Sequence, residues 1–484
     1  MPVIIFAMDG LQPSQVTPEL MPNLSAFASQ GVFFDNHHPA YPSVTRINAS
    51  TLMTGCYPGT HGLVANVLMI REYDNSRAFQ ALFPELQYVI DKTGRLLLAP
   101  TLAEILSKNG KTIASVVTGS SGNAFLHNPH QNKVGGQVIQ REFTLPSSLG
   151  DELTNKFGPW PERSEPDGSS NRYATRVLID HVLSQNQPDL SIFWCNEPDL
   201  SQHAAGVNSE QGIEGLKVAD DSFGEITRWL ETRGADSNTD VLVVSDHGYS
   251  TSEGVIEMNS LVGAAGFSPG DCSGGVSVGF NGGSVFFWVN GRTTSVVNKL
   301  AEWLMVQPWC GAITVPDIHG EVEGTLPARL VGQEGERAPD LMMSFKWHSG
   351  ENQNGVPGMF YTVGMPVGRG DHGSMSKHEM KNTLIAGGNS FKTSARLSTP
   401  TGNWDIAPTV LHILGIEHDR EMDGRIIYES LSTGCDPADV SWSQETHACS
   451  RRLGTGTYNQ EIEVSHVGKT LYVDQGSGRF NLLG

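Results

Sequence analysis

Val241-Leu242-Val243-Val244-Ser245-Asp246-His247-Gly248 is a short apolar run that stops on an acid, a histidine and a glycine. A run of this length, bounded by turn residues, reads as a strand buried on both faces. The chain opens in the same way, with Val3-Ile4-Ile5-Phe6-Ala7-Met8 stopping on Asp9-Gly10. Further apolar runs cover 190–195 and 112–118. A carboxylate just past the end of such a strand sits where open α/β sheets bind their ligands.

Helical patterns separate these runs. One covers 101–109, starting at Thr101 after Pro100 and closed by Gly110; another covers 403–415 and ends at Gly415. Residues 209–233 carry Ile213, Leu216, Val218, Phe223, Ile226 and Leu230 close to helical spacing. Alternating strands and helices predict an α/β fold with a mostly parallel sheet flanked by helices. Residues 251–370 differ: they are rich in glycine and carry their own strand, helix and strand at 284–289, 294–306 and 312–315. We read 1–250 with 371–430 as the catalytic core, 251–370 as an insertion or cap, and 431–484 as a small C-terminal β appendage containing Thr470-Leu471-Tyr472-Val473.

Acidic residues outnumber basic ones, 52 to 32, for a formal charge of −20. Such a surface repels nucleic acid polymers and anionic membranes, so neither is an expected partner. Small anionic substrates stay in play, because bound divalent cations dominate their local field. No apolar run approaches the ~18 residues that span a bilayer. The opening strand lacks the charged-then-apolar pattern of a leader, so the expected location is cytoplasmic, or secreted or periplasmic if a leader has been removed. Six cysteines show no CxxC pairing. Cys56 and Cys195 read as buried thiols, and a bridge among Cys272, Cys310, Cys435 and Cys449 stays open.

Five segments carry chemistry. Asp9 and the pair Asp246-His247 follow apolar strands. Asp199 and His203, four residues apart, can face one ion from a helical turn. His372 lies in the loop Gly370-Asp371-His372-Gly373. These are hard oxygen and borderline nitrogen ligands, a mixture zinc accepts. The fifth segment, Tyr41-Pro42-Ser43-Val44-Thr45-Arg46, leads on to His61 and Asn66. A threonine hydroxyl needs activation near neutral pH, which coordination to a metal supplies. His61, between glycines, reads as structural.

Taken in this order, the segments resemble the alkaline phosphatase superfamily, most closely its nucleotide pyrophosphatase/phosphodiesterase branch, from the first strand to about residue 430. The resemblance implies an alkaline-phosphatase-like α/β core and two zinc ions, with manganese or iron as alternatives. Asp199, His203 and His372 would hold one ion. Asp9, Asp246 and His247 would hold the other, with Thr45 bound to it as nucleophile of a phosphothreonine pathway. Asn66, twenty-one residues after Thr45, would donate to a phosphoryl oxygen.

Two departures refine the expectation. Single-threonine phosphomonoesterases of the superfamily place Lys and Arg after the strand at 112–118; here Thr118-Gly119-Ser120-Ser121-Gly122 offers no cation. That favours a monoanionic diester over a dianionic monoester. The branch often has an aromatic residue directly after the nucleophile, where this chain has Arg46. A guanidinium there can stack or bind a second anion, and its position predicts contact with the leaving group at the pocket mouth. The function implied is a metal-dependent phosphodiesterase or nucleotide pyrophosphatase acting on a small anionic phosphoryl ester. Alternatives are hydrolysis of phosphonate monoesters, phosphomonoesters or sulfate esters at the same site, or a catalytically inert metal-binding homologue. The sequence leaves the leaving group and the oligomeric state open.

Overall fold

Complete burial is what makes Val3–Met8 a strand: all six side chains are inaccessible, so only a sheet sandwiched between helices accommodates them. The structure is a computed structural model and describes residues 2–233, 238–417 and 421–482. Its main sheet has nine strands. In chain order these are β1 (Val3–Met8), β2 (Val32–Phe34), β3 (Ile113–Val117), β4 (Gln137–Gln140), β5 (Thr144–Leu145), β6 (Leu190–Cys195), β7 (Asp240–Val244), β8 (Leu384–Gly387) and β9 (Ala395–Leu397). Their spatial order is β9-β2-β8-β7-β1-β6-β3-β4-β5. The central strands β4, β3, β6, β1 and β7 pair in parallel, while β8 and the edge strand β5 run antiparallel to their neighbours. The expected mostly parallel α/β sheet is present, with its chemistry-bearing turns at the carboxyl ends of β1, β6 and β7.

Three expected boundaries shift. The strand predicted at 112–118 narrows to Ile113–Val117, because the flanking threonines turn their hydroxyls to Asp189 and to Asn171 and Asn196. The helix predicted at 403–415 is α-helical only over Ile406–Ile413. It is preceded by a 3-10 turn at Asn403–Asp405, where the Asp405 carboxylate accepts from Gly402 N at 2.8 Å. Residues 470–473 belong to a longer strand, Thr470–Leu482, in a three-stranded antiparallel sheet with Trp442–Leu453 and Gly456–Val467.

Two apolar layers clothe the main sheet. On one side, helix α1 (Thr45–Thr54) and helix α2 (Leu102–Lys108) meet Ile5, Val117, Trp194 and Val244. On the other, the long helix at Glu210–Thr232 presents Leu216, Phe223 and Ile226 to Ile4, Phe6 and Phe193. The predicted start of α2 carries a full capping box, with Thr101 Oγ1 accepting from Glu104 N and Glu104 reaching back to Thr101 N at 2.8 Å. Thr101→Ala is expected to cost about 1 kcal/mol, read from denaturant melts; no change would mean the Glu104 arm suffices alone.

Residues 276–345 form a second, five-stranded sheet with the helix Thr294–Met305 against it. Leu68, Ile70 and Leu96 pack in one cluster with Phe286, Trp288 and Met342 from that sheet. A four-stranded sheet joins Ser250–Val255 to Gly370–Asp371, which carries the chain back beside the end of β7. The C-terminal sheet is anchored to the rest: Tyr472 Oη donates to Asp405 Oδ2 at 2.9 Å, and His38 Nε2 lies 3.0 Å from Asp474 Oδ1. Among the described residues no helix is long and apolar enough to cross a membrane. Cys56 and Cys195 are buried as predicted, and no disulfide joins any of the six cysteines.

Candidate metal centre and nucleophile

Asp9 leaves β1 at its carboxyl end, and the chain turns at once through Gly10, whose φ is +71°. A Cβ at Gly10 would stand 2.7 Å from the Tyr249 ring, so glycine alone lets the turn close. Behind β7, Asp246 and His247 reach the same place. The Asp246 Oδ1 atom accepts from Gly10 N (3.0 Å) and from His247 N (3.1 Å). Asp199 is the first residue of a short helix, Asp199–Ala205, and His203 lies one turn further on. His372 arrives from the loop after Gly370–Asp371.

These side chains form two groups, Asp9 with Asp246 and His247, and Asp199 with His203 and His372. Within each group the potential ligand atoms lie within 4.8 Å of one another. The His203 and His372 Nε2 atoms are 3.2 Å apart, and each is within 3.5 Å of Asp199 Oδ1. His247 Nε2 stands 3.3 Å from Asp246 Oδ2 and 3.5 Å from Asp9 Oδ1. The rings of His247 and His372 stack at 3.6 Å, which places the two groups side by side.

The far nitrogen of each imidazole faces a main-chain carbonyl. His372 Nδ1 is 2.7 Å from Ser43 O, His203 Nδ1 is 2.9 Å from Gly370 O, and His247 Nδ1 is 3.0 Å from Gly248 O. A carbonyl only accepts, so each Nδ1 carries a proton and each Nε2 is the atom turned toward its cluster, where a cation would take the place of any proton on it. The carboxylates are oriented too: Trp194 Nε1 donates to Asp9 Oδ2 at 2.9 Å, and Tyr249 Oη donates to Asp199 Oδ1 at 2.8 Å.

Electrostatics make the arrangement costly without a cation. Burial, then Asp246 and Asp199, push the Asp9 carboxyl well above the ordinary range. Asp246 is raised chiefly by burial, against the pull of His247; its Oδ2 is buried with no hydrogen-bond partner. His372 is pushed down by burial and by His247, which keeps its ring neutral. Burial would lower His203, but Asp199 outweighs it and lifts the ring to about 9. Convergent lone pairs, an orphaned carboxylate oxygen and a fixed imidazole tautomer fit a divalent cation in each cluster.

Thr45 opens helix α1, with its Oγ1 3.4 Å from His247 Nε2 and 3.5 Å from Asp9 Oδ1. The hydroxyl therefore faces the Asp9 cluster at the positive end of a helix, where negative charge on it or on a bound phosphoryl group is favoured. Asn66 is tied into the same turn. Its Oδ1 accepts from Arg46 N at 3.3 Å, which directs its amide donors outward. Its own N–H bonds Asn281 Oδ1 at 2.7 Å. Arg46 is partly exposed beside Thr45, with the inner part of its side chain enclosed. Its Nε is buried without a partner, and a Cβ at Gly122 would stand 3.1 Å from that atom. Burial lowers the guanidinium to about 10, with Asp9 opposing, so it remains a cation. His61 is buried, 3.1 Å from Thr51 Oγ1, in keeping with a structural role.

The six candidate ligands and Thr45 thus converge at the carboxyl end of the sheet, Arg46 and Asn66 meet beside Thr45, and His61 stands apart against Thr51. The residues sequence reasoning missed are those that orient the others: Trp194, Tyr249, Ser43 and Asn281. Only Tyr249 had a signal, being two residues past His247. The other three belong to apolar or loop context that nothing in the linear pattern marks.

Fold and site together define an α/β protein with paired carboxylate–histidine clusters beside a helix-borne threonine. Residues 3–374 match the family model of type I phosphodiesterase / nucleotide pyrophosphatase, and the chain belongs to that metal-dependent family. A venom phosphodiesterase of Macrovipera lebetinus is 25% identical over 253 residues, covering 51% of this chain and 25% of the relative. The ectonucleotide pyrophosphatase/phosphodiesterase family member 3 of Bos taurus is 26% identical over 255 residues, with the same coverage of 51% and 25%. The chain spans about a quarter of the length of these curated relatives. Among solved structures, murine ectonucleotide pyrophosphatase/phosphodiesterase 5 superposes with a TM-score of 0.62 at 16% identity, covering 89% of this chain and all of that one. An inactive form of the murine protein in complex with AMP matches equally, with a TM-score of 0.62.

Proposed function

We propose that the chain hydrolyses phosphodiester or pyrophosphate-type bonds of small anionic substrates through a phosphothreonine on Thr45. The observation that carries this reading is the placement of Thr45 Oγ1 within 3.5 Å of both Asp9 and His247, at a helix N-terminus. Asp9, Asp246 and His247 would hold one divalent cation; Asp199, His203 and His372 would hold the other. Zinc suits the donor set best, with manganese and iron as alternatives. Bound there, such a pair supplies Lewis acidity to both the entering and the departing oxygen of an in-line displacement.

The chain's own groups account for the rest. Thr45 Oγ1 gives up its proton to solvent and forms a bond to phosphorus as the bond to the departing oxygen breaks, and that oxygen takes up a proton from solvent. Water then attacks phosphorus, the bond to Thr45 breaks, and the hydroxyl regains its proton. Asn66 donates to a nonbridging oxygen as charge gathers on it, and the first turn of α1 adds its dipole. Support for a nucleotide-like substrate comes from the family and from the AMP bound to the murine relative. Residues 67–100 and 251–370, whose apolar side chains pack together, would shape the pocket for the remainder of the substrate.

A panel on cation-replete protein tests this reading: a bis-aryl phosphodiester, a dinucleotide pyrophosphate, an aryl monoester, a phosphonate monoester and a sulfate ester. Diester or pyrophosphate turnover should lead; preference for the sulfate or monoester would displace the reading. In the same panel Arg46→Ala should lower kcat/KM by roughly ten- to hundredfold on substrates with an anionic or planar leaving group, and far less on a neutral aryl diester. An equal loss throughout would put the guanidinium on the phosphoryl oxygens and restore the monoesterase alternative.

A further inference from the structure

Glu379 is fully buried and belongs to neither cluster. A carboxylate in that position must be saturated with donors, and it is: Ser374 N and Ser374 Oγ each donate at 2.6 Å, and Ser43 Oγ lies at 3.1 Å. Ser43 is the residue whose carbonyl fixes the His372 ring, and it stands two positions before Thr45. Its hydroxyl also accepts from Gly373 N at 3.0 Å, next to His372. Through one hydroxyl, the Glu379 side chain is therefore coupled to a ligand imidazole, to the loop that carries it and to the turn that carries the nucleophile. Its main chain makes a separate connection, since Glu379 O accepts from Gly248 N at 2.9 Å beside His247.

We infer that the Glu379 side chain is a positioning residue for the Asp199–His203–His372 cluster, acting through Ser43, and that its main chain alone serves the His247 cluster. This rests on the reading of both clusters as cation sites. The side-chain arm bonds Ser43 and Ser374 and also faces Ser250, beyond the His247 turn, whereas the link to Gly248 itself needs only a carbonyl that every residue supplies. Substituting the side chain should therefore loosen one cluster and spare the other. A carboxylate that merely stabilised the turn would weaken both clusters together or neither.

The test is calorimetric titration with Zn²⁺ alone, in two backgrounds that each leave one cluster. With the His247 cluster disabled by Asp246→Asn, adding Glu379→Ala should weaken the remaining site by roughly 10- to 100-fold, the usual cost of losing an outer partner of a ligand. With the other cluster disabled by His203→Ala, the same change should leave affinity within about threefold, below that range. Ser43→Ala, which removes only the hydroxyl, should reproduce the asymmetry if Glu379→Ala folds poorly. Glu379→Gln should restore affinity, because its carbonyl can take over Oε2 while Ser374 Oγ turns to accept from the amide. Equal weakening of both sites, no weakening of the first, or failure of glutamine to rescue would each overturn the inference. Wild-type protein that binds no Zn²⁺ would overturn the cation-site reading itself and this inference with it.

Discussion

Thr45→Ala is expected to lower kcat by at least roughly 10³-fold while the melting temperature and the cation content stay near wild type. The size follows from the role: without Oγ1 there is no atom to carry the phosphoryl group, and water must replace a held nucleophile. The folding cost is small because Thr45 is the first residue of its helix and makes only long contacts, at 3.4 and 3.5 Å, to cluster residues. Single-turnover quench with a labelled phosphodiester should show label on the wild-type protein and none on the variant. A loss below tenfold, or label retained on the variant, would move the nucleophile elsewhere.

Chelation is expected to abolish turnover and to reorder the stability of variants. Asp9, Asp246 and Asp199 crowd their charges together, and Asp246 Oδ2 has no donor to satisfy it. With cations at a hundred times their Kd, wild type gains about 2.7 kcal/mol per site over the stripped chain. Asp9→Asn forfeits most of that gain but relieves the repulsion. The expected result is a crossover in thermal melts: stripped Asp9→Asn melts above stripped wild type, and loaded wild type melts above both. Melting temperatures in the same order with and without cation would mean that Asp9 is not a ligand, and full activity after chelation would end the metal reading.

The catalytic skeleton was legible because strands and ligands announce themselves together. An apolar run ending on Asp9, or on Asp246-His247, identifies a buried strand and a site at its end in one stretch of sequence. The C-terminal sheet was only partly legible: Trp442–Leu453 is polar and largely exposed, so it carries no apolar signal, and Thr470–Val473 showed only the buried start of a longer strand. Arg46 was assigned to the pocket mouth from adjacency to Thr45 alone. The enclosure of its Nε involves Gly122, more than seventy positions away, which adjacency in sequence does not reveal. Ser43 and Glu379 were invisible for a similar reason. Their importance lies in which carbonyl or hydroxyl they offer after folding, and residue type alone does not encode that.

The bond between His38 and Asp474 has a bearing on how the molecule comes into being. His38 stands in the stretch that leads into the nucleophile turn, and Asp474 comes from the strand Thr470–Leu482, 436 positions further along the chain. His372, too, is made long after Thr45. A chain made only as far as residue 250 therefore holds Thr45 with neither His372 nor the His38–Asp474 contact in place. Contacts between residues so far apart in sequence close large loops, and closure of this kind is the slow part of assembling a fold.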